Sequence, residues 1–158
     1  MRVQFIRRLG VPVAFALAAS LGASNALADN RGAIVQVRAS GSVQGTLEQL
    51  KKMVADNGMM VMGELHQGKV LAMTGLKVDS ETVFVGNPTV GKKLFSADPG
   101  VGIVVPIRIN IYADGQGNTI VSYVPPSYLL SGFGNPQVSM VAKMLDEKLQ
   151  KLTGMLVR

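Results

Sequence analysis

The segment from Val101 to Ala113 constrains this chain more than any other. Val101, Ile103, Val105, Ile107, Ile109 and Ile111 alternate with positions that include Pro106, Arg108, Asn110 and Tyr112. A period of two sends successive side chains to opposite sides of a strand. One side is then wholly apolar and must be buried, and the other carries polar groups. Such a strand needs neighbours. Asp114-Gly115-Gln116-Gly117-Asn118 is a loop that returns the chain into Thr119 to Val124 as a hairpin partner, and Pro125-Pro126 stops it. Ile34 to Ser40 also alternates. Met59 to Gln67 and Thr82 to Gly86 complete a set of about five strands, the last closing in the turn Gly86-Asn87-Pro88.

Helical spacing fills the gaps. Thr46-Leu47-Glu48-Gln49 has the form of a capping box, with Leu47, Leu50 and Val54 following on one face and Gly58 as a stop. Short helices are expected over 68–74 and 89–97. Asn135 caps a final helix with Pro136 in its first turn and a stripe of Val138, Val141, Leu145, Leu149 and Leu152. The expectation is an α+β two-layer sandwich: a mixed or antiparallel sheet of about five strands, helices on one face, the other face open.

The start of the chain reads as a leader. Arg2, Arg7 and Arg8 precede an apolar run from Leu9 to Leu21, and Ala26-Leu27-Ala28 has the small-x-small form of a signal-peptidase site. Residues 1–28 are expected to be removed after Ala28, leaving 29–158 as one domain in the periplasm or outside the cell. The run is shorter than the ~20 residues that span a bilayer and is interrupted by Gly10 and Pro12, so no stable membrane anchor is expected. Without the leader arginines, thirteen basic side chains face ten acidic ones. The lysines fall in scattered pairs (Lys51-Lys52, Lys92-Lys93) rather than in a stripe interleaved with aromatics, which argues against a nucleic-acid partner. There is no cysteine and one histidine, so thiol catalysis, iron–sulfur clusters, disulfides and multi-histidine metal sites are excluded. No cofactor is called for.

In order along the chain, Gly58, a strand to Leu65-His66, Ala72 and Gly75, Gly86-Asn87-Pro88, Gly91 and Leu94, Val105-Pro106, Asp114, Gly117, Tyr123 and Pro126 resemble the domain of unknown function 302 family over roughly 46–152. That resemblance implies a small α+β fold and no established activity. Leu65 departs from the acidic residue that commonly precedes the histidine in that family. If that acid orients the imidazole, the resemblance implies that this chain lacks the arrangement.

Strict alternation through the second strand would place Met60, Met62, Glu64 and His66 together, opposite Met59, Val61, Gly63 and Leu65. If Leu65 and the isoleucines meet the helices, Glu64 and His66 converge with Arg108, Asn110 and Tyr112 on the open face. That group suits an anionic or amide-bearing ligand, with the imidazole as acid or base in the enzymatic alternative. A His66 that merely ends a strand against a loop is the blander outcome. Met60, Met62 and His66 on one face form a candidate Cu(I) set. Asn87 either offers its turn to a ligand or bonds its own backbone. Tyr123, beside the Pro125-Pro126 turn, suits a packing anchor. An uncovered sheet bearing Met60, Met62 and Tyr112 also invites a homodimer.

Overall fold

A computed structural model describes residues 33–157. The expected leader and its cleavage at Ala28 lie outside them. The elements run β1 (Val35–Ala39), α1 (Val43–Asp56), β2 (Met60–Leu65), α2 (Gln67–Ala72), β3 (Ser80–Gly86), α3 (Pro88–Ala97), β4 (Ile107–Ala113), β5 (Thr119–Tyr123), α4 (Pro126–Leu129) and α5 (Pro136–Gly154). All strands pair antiparallel in the order β1-β5-β4-β3-β2. The isoleucine strand β4 therefore lies at the centre of the sheet.

Ile107, Ile109 and Ile111 are buried on the helical side, level with Val83 and Val85 of β3 and Val121 and Tyr123 of β5. Leu47, Leu50 and Val54 of α1 and Leu149 and Leu152 of α5 close over them as one core. A second core joins Leu94 of α3, Val101, Leu130 and the first half of α5 (Val138, Val141, Leu145). The stripe expected on the last helix thus bridges both. Its Asn135 cap is as read, accepting from the Gln137 and Val138 amides.

Two expectations are corrected. The first helix begins at Val43, not Thr46, because Ser42 Oγ accepts from the Gly45 amide at 3.1 Å. Thr46 is instead buried within it. The apolar alternation does not run unbroken from Val101. Asp98 caps a 3-10 turn over Pro99–Ile103, which sends Val101 into the second core and leaves Ile103 88% exposed. The chain re-enters the sheet after a cis Val105-Pro106 bond. Pro125-Pro126 stops β5 as expected. The short helix α4 follows, its Ser127 amide donating to Asp146 of α5.

Two glycines in helices make opposite demands. A Cβ on Gly68, in the first turn of α2, would lie 2.5 Å from the backbone oxygen of Val78, so only glycine lets α2 approach β3. A Cβ on Gly91 in α3 meets nothing within 4 Å. Gly68→Ala should therefore lower unfolding stability by about 1–3 kcal/mol. Gly91→Ala should raise it by up to about 1 kcal/mol by removing a flexible residue from a helix interior. Denaturant melts of the two variants check both signs.

Candidate functional site

The open face follows from β4. Arg108, Asn110 and Tyr112 alternate with the buried isoleucines, and register places Phe84 beside Arg108, Thr82 and Ser122 beside Asn110, and Ser80 and Ile120 beside Tyr112. At the centre is a polar knot. Asn110 Oδ1 lies 3.1 Å from the Thr82 hydroxyl and 3.3 Å from that of Ser80. Both hydroxyls also lie within 2.9 Å of Gln67 Oε1, at the start of α2. Each hydroxyl has a single proton, so it donates to one carbonyl at a time. Gln67 shields Thr82 completely from solvent although Thr82 points to the open side. Tyr112 Oη accepts from Gln36 at 3.2 Å.

Two hollows meet at Asn110. One, of about 360 Å³, is lined by Arg108, Asn110 and Ser122, with Ile34 and Leu129 at its rim. The other, of about 280 Å³, lies between Asn110, Tyr112 and Ser80 and the α2 residues Gln67 and Leu71. Across the strand positions of this face (Met60, Gly63, Leu65, Ser80, Thr82, Phe84, Gly86, Arg108, Asn110, Tyr112, Ile120, Ser122, Gln36, Arg38) there is no carboxylate. Asp79, just ahead of β3, is the carboxylate in the lining of the second hollow, whereas the first has Arg108 and no acid, and Arg108 forms no ion pair among the described residues.

His66 and Glu64 do not join this group, which corrects the expected convergence. The cause is a bulge in β2. Val61 pairs with Val85 but Gly63 pairs with Phe84, so Met62 is an extra residue and the alternation inverts after it. Glu64 consequently turns to the helical side, where it accepts from Lys51 of α1 at 2.8 Å. That hydrogen bond, with the attraction of the same carboxylate, holds the Lys51 ammonium above its usual pKa. Leu65, expected in the core, faces the open side and is 40% exposed. His66 sits beyond the strand end, its Nδ1 2.6 Å from Oε2 of Glu81, which projects from β3 on the side of the buried Val83. An ionised carboxylate can only accept there, so it sets the imidazole proton on Nδ1 and leaves Nε2 outward. The imidazole is oriented by an acid after all, supplied from the neighbouring strand β3 rather than from position 65.

The copper set is likewise dispersed. The Met62 thioether lies over Gly86, on the open side, whereas His66 lies four residues further on, about 13 Å along an extended strand. Among the described residues no three His, Asp or Glu side chains are grouped to hold a metal. Asn87 is spent within the fold. Its Oδ1 accepts from Val90 to cap α3, and its amide donates to the Gly58 carbonyl. Tyr123 is buried beneath the helices, and that burial pushes its phenol pKa up. The residues missed by sequence reasoning are Gln67, Ser80, Thr82, Glu81 and Ser122. The alternation of β3 against β4 would have found Ser80 and Thr82 once their pairing was known.

The model of the domain of unknown function DUF302 matches residues 35–156, nearly all of what is described above. The chain belongs to the DUF302 family. A crystal structure of an uncharacterized conserved DUF302 protein from Bacillus stearothermophilus superposes with a TM-score of 0.74 at 19% identity, covering 78% of this chain and 98% of that one. The likeness is one of fold. No curated protein matches the chain. For this DUF302 domain, nitrogen-15 spectra of the neutral His66 ring should show its proton at Nδ1 and not Nε2, and Glu81→Ala should return the neutral ring to a mixture of tautomers. An unchanged spectrum in that variant would show that Glu81 does not govern the ring.

Proposed function

We propose that this DUF302 domain is a non-enzymatic binding module whose open sheet face takes a small ligand carrying a carboxylate and an amide. The observation that carries the reading is the placement of Asn110 where two hollows meet, beside an unpaired Arg108 in the hollow whose lining holds no carboxylate. Arg108 supplies a planar, always-charged donor for an anion. Asn110 and Ser122 supply neutral hydrogen bonds that fix orientation, and Ile34, Leu129 and Tyr112 supply apolar contact. The leader over 1–28 supports an exported, periplasmic or secreted module, and the N-terminal residue of protein recovered outside the cytoplasm is then Asp29.

A homodimer accompanies this reading, supported by Leu65 and Phe84 on the uncovered side. Sedimentation equilibrium should show monomer–dimer exchange that Phe84→Glu abolishes, and a strict monomer at high concentration would remove the dimer. For the ligand, N-acetylglycine is a suitable minimal probe. Its amide-shift perturbations should centre on Arg108, Asn110 and Ser122, and Arg108→Gln should weaken it roughly tenfold, the scale of one charge-assisted hydrogen bond. Perturbations centred on His66 would replace this reading with the enzymatic one. That second reading gains from the Glu81-held imidazole, which is 46% exposed, yet His66 lines neither hollow.

A further inference from the structure

A third cavity lies away from the open-face site, where the end of β3 passes under α3. It has a volume of about 280 Å³ and is almost wholly hydrocarbon. Val85, Leu94 and Ile107, each at most 4% exposed, form its floor. Met62 and Phe95, both nearly half exposed, stand at its rim with Gly91. Asn87 is the polar residue in its wall, and both its side-chain groups are already engaged. The cavity therefore offers a ligand apolar contact and no free side-chain amide or hydroxyl.

Two features say what fits. The size is that of about nine waters at the ~30 Å³ each occupies in the liquid, and water in a cleft so poor in polar partners is readily displaced by hydrocarbon. Charge then selects the other end of the ligand. Lys92 follows Gly91 and falls one helical turn from both Pro88 and Phe95, so it flanks the rim. α3 contains Lys92 and Lys93 and no acidic residue, and neither lysine forms an ion pair among the described residues. Met62 completes the arrangement. Its Sδ and Cε lie 2.8 Å from where a Gly86 Cβ would be, so Gly86 leaves this flexible side chain room to lie across the cavity edge.

We propose that this cavity binds the alkyl tail of a medium-chain carboxylate, with the head group outside at Lys92. The Gly86-Asn87-Pro88 turn, Gly91, Leu94 and Pro106, which carry much of the family likeness, all line it. Calorimetric titration of the purified protein with decanoate below its micellar concentration tests the assignment. Saturable one-to-one binding is expected, with decyltrimethylammonium binding more weakly. Gly91→Leu, whose side chain has the cavity to grow into, should cut decanoate affinity at least about tenfold while the melting temperature holds or rises. Lys92→Ala should weaken it about two- to fivefold, as for an exposed ion pair. Met140→Ala, on the exposed surface of α5, should change nothing. Absence of saturation, wild-type affinity in Gly91→Leu, or equal binding of the cationic amphiphile would overturn the proposal. Should Gly91→Leu not fold, Phe95→Ala at the exposed rim decides instead, and unchanged affinity there is equally fatal.

Discussion

Burial of one side of β4 is the constraint on which the remaining structure depends. Three isoleucines in alternate positions require two layers of partners: flanking strands to satisfy the backbone, and helices to cover the side chains. Val83, Val85, Val121 and Tyr123 extend the apolar surface sideways, and α1 and α5 close it. Because β4 is central, its other side is held at the middle of the sheet with equal rigidity. Arg108, Asn110 and Tyr112 are therefore displayed in fixed spacing by the same residues that make the core.

The bulge in β2 is the second determinant. Adding one residue opposite Phe84 inverts every later side chain of the strand. It moves Glu64 from the open face to Lys51, Leu65 from the core to the open face, and His66 to the buried carboxylate of Glu81. The polar surface is thereby divided into two chemically distinct regions, an amide–hydroxyl–guanidinium field on one side and an ion-paired rim on the other.

These two features also mark how far the sequence is legible. The α5 stripe, the Asn135 cap and the isoleucine row can be read directly because each rests on local periodicity or on one side chain bonding its own neighbours. The side on which Arg108, Asn110 and Tyr112 lie follows from the same rule. Glu64 and His66 are misplaced by it because a bulge has no strong local signature, Gly63 being the one hint. Glu81 is invisible as a partner for His66 because the contact spans fifteen residues and depends on register. The 3-10 turn before β4 was masked by an apolar alternation that continues through Val101 and Ile103, where Asp98 and Pro99 in fact redirect the chain.

The irregularity in β2 has a further consequence at the boundary of the sheet. β2 is a terminal strand, and its outward row of amides and carbonyls would ordinarily be a template on which a foreign extended chain could lengthen the sheet. An extra residue at Met62 breaks the even spacing of that row and twists it. A straight incoming strand can match the groups before the break or those after it, and not both. The same inserted methionine that reassigns the side chains thus guards the molecule against indefinite strand-by-strand growth.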